Sequence, residues 1–284
     1  MDSPLKWPGG KHYLAKKIVA LMPPHIHYVE PYAGSLAVLL HKNPEGVSEV
    51  ANDLNAWLMK FWDVMQQPEY FQHFQRLCEA TPFSEDAWEK ADGLMEDHAC
   101  CDARYFAPWE AAWILFVRCR QSLAGRMTDF ATLSRTRTRR GMNEQASAWL
   151  TAVEGLPEVH ARLKRVVVLN RPALDVIRQQ DGPETLFYLD PPYLHGTRST
   201  TTEYGKYEMD TDAHLALLEV ASAIKGGFLL SGYRSELYDD WARSHDWKRH
   251  DFELPNNAAG GTTKRRMTEC VWTGGGVSCQ GNLV

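Results

Sequence analysis

The chain has 284 residues, 44% of them apolar and 24% charged, with 20 Gly and 15 Pro. That composition excludes collagen-like, disulfide-scaffold and largely disordered proteins, and leaves enough chain for one large domain or for a core domain with an insertion. A net charge of −5 argues against a protein that coats polyanions by bulk charge, although a chain-wide sum says nothing of local patches.

Residues 12–22 (HYLAKKIVALM) carry apolar residues at helical spacing, and Pro23-Pro24 stop them. IHYVEPYAG then reads as a short buried strand ending in a turn, with SLAVLLHK starting a helix. VSEVANDLN is a second strand that ends at Asn52-Asp53, and AWLMKFWDVM is the helix after it. This alternation is that of a parallel α/β sheet. Between residues 67 and 163 the texture changes to long amphipathic segments such as FQHFQRLCEA and WEAAWILFVRCR, with no strand expected. Strands return as RVVVL, TLFYLD and GFLLSG, with HLALLEVASAIK as a helix between the last two. The expected organisation is an α/β domain of residues 1–66 and 164–284, interrupted by a helical insertion at 67–163.

No uncharged apolar stretch approaches the ~18–20 residues of a membrane span, and MDSPLKWPGGKHYLAKK lacks the apolar core of a secretory signal, so a cytoplasmic protein is expected. Six cysteines show no C-x-x-C pairing and read as reduced thiols, the adjacent Cys100 and Cys101 being the pair open to redox or metal chemistry. The histidines form no H-x-x-x-H or H-E-x-x-H pattern, and no metal site is expected.

Charge is segregated within the insertion. Residues 69–117 hold ten Asp/Glu against three Lys/Arg, whereas residues 118–140 hold seven arginines (Arg118, Arg120, Arg126, Arg135, Arg137, Arg139, Arg140) against Asp129 alone. In LSRTRTRRG the arginines alternate with Ser and Thr, all donors to phosphate oxygens, so nucleic-acid contact is expected there. The plainer reading is a solvated loop that neutralises its acidic neighbour.

Two turns carry candidate chemistry. Glu30-Pro31-Tyr32-Ala33-Gly34-Ser35 follows the first strand, where small residues let a ligand approach the backbone at a helix N-terminus. Asp53, at the end of the next strand, stands where doubly wound sheets place an acid for ribose hydroxyls, although Gly34 would equally suit a tight turn. The second turn is Asp190-Pro191-Pro192-Tyr193, directly after TLFYL. Two prolines stiffen it and remove two N–H donors, so a carboxylate and a carbonyl can both accept from one amino group. An aromatic ring two residues on can stack on a planar base. Two acceptors on an exocyclic amine favour its pyramidal form and free the lone pair for attack on a methyl sulfonium.

Asp190–Tyr193, the Glu30–Ser35 turn, Asn52-Asp53 and Lys6-Trp7-Pro8-Gly9-Gly10-Lys11 together resemble the Dam-type DNA adenine methyltransferases, which use S-adenosylmethionine. The order of cofactor turn, helical insertion and D-P-P-Y resembles the α-type arrangement of amino-methyltransferases. The resemblance implies a Rossmann-like methyltransferase sheet with helices on both faces and a helical target-recognition insertion. It implies that Lys6, Trp7, Gly10 and Lys11 close over the methionine part of the cofactor, that Glu30 to Ser35 line it and that Asp53 binds its ribose. Asp190 would also border the cofactor; with the Pro191 carbonyl it would hold the amine, with Pro192 stiffening the turn and Tyr193 stacked on an extruded base. N-A-A-G-G-T-T-K-R-R resembles a Gly-rich basic segment, so Lys264, Arg265 and Arg266 are expected on the phosphate backbone, although the Gly pair would equally suit a plain hairpin turn; separately, the polar loop after D-P-P-Y offers Arg198 and Lys206 to phosphates, or is a plain surface loop. Many relatives carry F-x-G-x-G in the cofactor turn, and here Leu36 stands where the second glycine would fall.

The implied activity is methyl transfer to adenine N6 in double-stranded DNA, with S-adenosylhomocysteine as product and no metal, in a bacterial or phage-infected cell. A restriction endonuclease acting on the same sites is one partner that the resemblance allows; a phage-evasion or housekeeping role stays open beside it. The same grip would suit cytosine N4 or adenine in RNA, and a non-catalytic DNA-binding module would keep the same fold. Target sequence and oligomeric state are not legible in one sequence.

Overall fold

A computed structural model describes residues 1–97, 103–197, 205–255 and 266–276. In chain order the elements are α1 (Ala15–Val19), β1 (His27–Glu30), α2 (Ala37–His41), β2 (Ser48–Asn52), α3 (Ala56–Gln66), α4 (Pro68–Ala80), α5 (Glu85–Asp97) and α6 (Pro108–Gln121). A short ribbon, β3 (Thr138–Arg139) and β4 (Met142–Asn143), leads into α7 (Glu144–Glu154), α8 (Leu156–Leu163), β5 (Val166–Leu169), α9 (Ala173–Gln180) and β6 (Thr185–Leu189). The chain continues through α10 (Thr211–Ala223), β7 (Gly227–Tyr233), α11 (Glu236–Ser244), β8 (Lys248–Pro255) and β9 (Arg266–Gly275).

A mostly parallel seven-stranded sheet has the order β5-β2-β1-β6-β7-β9-β8, with helices flanking it. β1 pairs in parallel with both β2 and β6, and β6 with β7, whereas β9 is antiparallel to β7 and β8. Every residue of β6 is buried, as its apolar run requires of a central parallel strand. Strand order reverses between β1 and β6, and in open α/β sheets ligands bind at the carboxyl ends of the strands at such a point. Glu30 closes β1, and Asp190 follows the last residue of β6.

The chain divides into two compact units, one of residues 1–15, 34–42 and 53–170, the other of residues 16–33, 43–52 and 171–284. Within the first unit α3 packs against α4, α6 and α8. There Phe61 meets Phe74 edge-on at 5.7 Å and stacks on Phe116 at 5.9 Å. α6 is buried on most of its circumference because α3, α4, α5 and α7 all lie against it. Helix starts follow the expected chemistry: the Asn55 side chain accepts from Leu58 N, that of Asn143 from Gln145 N and Ala146 N, and Pro68 and Pro108 open α4 and α6.

The β3–β4 ribbon corrects the expectation of a strand-free insertion. Arg140 (φ 56°) and Gly141 (φ 75°) both adopt left-handed conformations, which a two-residue hairpin turn of the right twist demands.

Candidate active site

In the second unit, the turn after β6 rests on a buried polar cluster. The Tyr28 hydroxyl donates to Glu30 Oε1 at 2.7 Å, the Tyr188 hydroxyl and Ser231 Oγ lie 2.8 Å apart, and the Tyr193 hydroxyl donates to Glu269. All six of these residues are buried, and Asp190 is half-buried at the edge of the cluster. Burial, reinforced by neighbouring carboxylates, pushes the Tyr28, Tyr188 and Tyr193 phenols well above their ordinary pKa, so each keeps its proton. For Tyr193 the carboxylates are Glu269 and Asp190. Its ring meets that of Tyr233 edge-on, with centroids 4.8 Å apart.

The turn after β1 is clamped by Asn52, which is fully buried. Asn52 Nδ2 donates to the Pro31 carbonyl at 3.0 Å, and Ala33 N donates to the Asn52 carbonyl at 2.8 Å. The same amide exchanges two further bonds with the Arg171 backbone, at 3.0 and 2.9 Å. Tyr32 stays partly exposed between these anchors.

In the first unit, Gly34 N donates to Asp53 Oδ2 at 3.1 Å, and Trp62 Nε1 donates to the Gly34 carbonyl at 3.1 Å. Gly34 has φ 46°, and a Cβ there would sit 3.3 Å from Trp7 Cδ1. A Cβ on Gly10 would sit 3.0 Å from the Trp7 carbonyl and 3.2 Å from Ser35 Oγ. Trp7, Gly10, Gly34, Ser35 and Asp53 are therefore brought together, and the glycines are what permit the approach. Lys11 is buried, with Nζ donating to the Gly9 carbonyl at 2.6 Å. Burial raises the Asp53 pKa against the opposing pull of backbone N–H groups from Asn55, Gly34 and Leu54.

The N-terminal segment is also tied to the end of α6. Lys6 Nζ donates to the Arg120 carbonyl at 3.4 Å, and Cys119 Sγ donates to the Lys6 carbonyl at 2.9 Å. A Cβ on Gly125 would collide with that carbonyl oxygen. Burial, and then the Arg120 charge, push the Lys6 pKa down to about 8.

The seven insertion arginines do not form one surface. Arg118 pairs with Asp92 at 2.5 Å and donates to the Met127 carbonyl at 3.0 Å, while Arg120 is drawn into the helices and donates to the Ala148 carbonyl at 2.8 Å. Arg126, Arg135, Arg137, Arg139 and Arg140 are exposed. Arg140 forms a two-pronged pair with Glu154 at 2.9 Å, and Arg137 lies 3.7 Å from Glu144. Arg126, Arg135 and Arg139 carry no ion pair among the described residues. Arg266 opens β9, whereas Arg198, Lys264 and Arg265 lie outside the described residues.

Sequence reasoning missed Glu269, Tyr28, Tyr188, Ser231 and Tyr233. A lone acid directly before the apolar run Cys270-Val271-Trp272 was the signal that pointed to Glu269.

A profile of the D12 class N6 adenine-specific DNA methyltransferases matches residues 7–254. The chain belongs to that family. It is also 22% identical to the type II methyltransferase M.CviBI of Paramecium bursaria Chlorella virus NC1A over 266 residues, which is 90% of this chain and 94% of that protein. As a D12 class enzyme it methylates adenine N6 in DNA and uses S-adenosylmethionine. The residues present fit that cofactor: Asp53, still partly exposed and directly after β2, offers carboxyl oxygens suited to a vicinal diol. Among the described residues no group of His, Cys, Asp and Glu is arranged to hold a metal ion, and no helix is long and apolar enough to cross a membrane.

Proposed function

We propose that Asp190 and the Pro191 carbonyl grip the exocyclic amine of an adenine extruded from duplex DNA, and that Tyr193 stacks on the extruded base. The observation that carries this reading is the position of Asp190-Pro191-Pro192-Tyr193 directly after β6, at the reversal of strand order, over a buried hydrogen-bonded cluster. Extrusion is required because pairing and stacking otherwise shield the amine. The two acceptors draw the nitrogen toward pyramidal geometry, and its surplus proton leaves to water. Asp53 receives the ribose hydroxyls, Lys6, Trp7, Gly10 and Lys11 enclose the methionine portion, and Glu30 to Ser35 line the remainder. When bound, S-adenosylmethionine supplies an activated methyl sulfonium and leaves as S-adenosylhomocysteine. Rate then comes from orientation and water exclusion by the surrounding residues.

The helical region at 67–163 serves target recognition, with Arg126, Arg135 and Arg139 as its phosphate-contacting set and Arg198, Lys264, Arg265 and Arg266 as further phosphate contacts. M.CviBI is named a type II methyltransferase, and we read the same setting here, with an endonuclease of matching specificity in a bacterial or phage-infected cytoplasm. Incubation with duplex DNA and methyl-labelled cofactor, followed by nucleoside analysis, tests the reading. Label in N6-methyldeoxyadenosine is expected; label in N4-methyldeoxycytidine, or transfer to RNA alone, would overturn it.

A further inference from the structure

Glu269 is a buried carboxylate on a strand whose next three residues, Cys270, Val271 and Trp272, are fully buried and apolar. A carboxylate in such a place is costly unless it is hydrogen-bonded, and the Tyr193 hydroxyl donates to it. The pairing of β7 with β9 sets Glu269 opposite Tyr233. The Tyr233 ring in turn meets Tyr193 at 4.8 Å and 77°. Tyr193 is thus held at its hydroxyl by Glu269 and along its ring by the residue paired with Glu269. A tyrosine has two side-chain torsions, and two such anchors fix the plane of its ring.

We propose that Glu269 is a positioning residue for methyl transfer, setting the plane of the Tyr193 ring on which the extruded adenine stacks. This rests on the reading of Asp190 and Tyr193 given above. Glu269 touches neither substrate nor cofactor in this role and acts only through Tyr193. Its effect therefore falls on the transfer rate and on the stacked base, and leaves cofactor affinity alone.

The test compares Tyr193→Phe, Glu269→Leu, Glu269→Gln and the double variant Tyr193→Phe/Glu269→Leu. It reads single-turnover transfer to a duplex carrying one target, the fluorescence of 2-aminopurine at the target position, and cofactor affinity by calorimetry. A hydrogen bond to a charged acceptor predicts a rate loss of about 10-fold in Tyr193→Phe and in Glu269→Leu, with no further loss in the double variant. Glu269→Gln, whose amide oxygen still accepts from the phenol, recovers most of the rate, and all four bind cofactor as the parent does. A Glu269→Leu rate equal to the parent's, losses that multiply in the double variant, or a Glu269→Gln loss accompanied by weakened cofactor binding would each overturn the proposal. Tyr193→Ala and Asp190→Ala are run beside them. Parental rates in both would remove the underlying reading, whereas inactive Tyr193→Ala with no coupling to Glu269 removes only the positioning role.

Discussion

Asp53 Oδ2 accepts the backbone N–H of Gly34 at 3.1 Å, tying the residue after β2 to the turn after β1 across nineteen positions of sequence. The carbonyl of the same glycine accepts the Trp62 indole N–H at 3.1 Å, so Gly34 is held from both sides. A turn fixed in this way needs little ordering when a ligand arrives, which favours affinity. Asp53 keeps acceptor capacity beyond its bonds to the Gly34, Leu54 and Asn55 N–H groups, and that remainder is what a ribose diol would use.

Two residues on from Gly34, Leu36 has φ 53° and is fully buried. Glycine would relieve about 1 kcal/mol of left-handed strain there, but loss of a buried leucine costs about 3 kcal/mol. Leu36→Gly is therefore expected to lower stability by about 2 kcal/mol in urea unfolding. Stability equal to or above the parent's would mean that backbone strain outweighs packing at this turn.

Lys6 gives a pH dependence with a defined sign. Its pKa falls from the ordinary 10.5 to about 8 on folding, chiefly through burial. Below about pH 8 both folded and unfolded states carry the charge, and the fold bears the full cost of a buried ammonium. Between about 8 and 10.5 the unfolded chain binds more protons, so this contribution to stability rises with pH. Thermal unfolding should then show parent minus Lys6→Met shifting in the parent's favour from pH 7.5 to 10 (about the span of the two pKa values). A difference that stays constant with pH would contradict the assignment.

The arginines separate into two classes with different expected outcomes. Arg135→Ala/Arg139→Ala should weaken DNA binding and reduce its salt slope by about 2, one for each phosphate that is no longer neutralised, with thermal stability unchanged. Arg118→Ala should instead lower stability, because Asp92 loses a partner 2.5 Å away. Fluorescence anisotropy across a salt series and thermal unfolding distinguish the two; an unchanged slope in the first variant removes Arg135 and Arg139 from the interface.

The strands that frame the candidate site were legible because β6 and β7 are apolar, aromatic-rich runs closed by turn residues. Asp53 and Gly34 were legible as a pair because strand-end acids and glycine turns recur at fixed places in doubly wound sheets. β8 was not, since KRHDFELP mixes charge with apolar residues and gains its definition from pairing with β9 at the sheet edge. The fate of Arg118 and Arg120 depends on Asp92 and on the Ala148 carbonyl, partners that lie more than twenty residues away and that local spacing does not reveal. The β3–β4 ribbon was hidden because its strands have two residues each, and its turn is set by the φ angles of Arg140 and Gly141.

The most direct measurement is single-turnover methyl transfer by Asp190→Ala on duplex DNA with a radiolabelled cofactor methyl group, alongside calorimetric titration of the cofactor. Transfer reduced to background is expected, with cofactor binding kept within about threefold of the parent's, because the proposed function puts Asp190 mainly on the amine and Asp53 on the ribose. Transfer to adenine at the parental rate would contradict it.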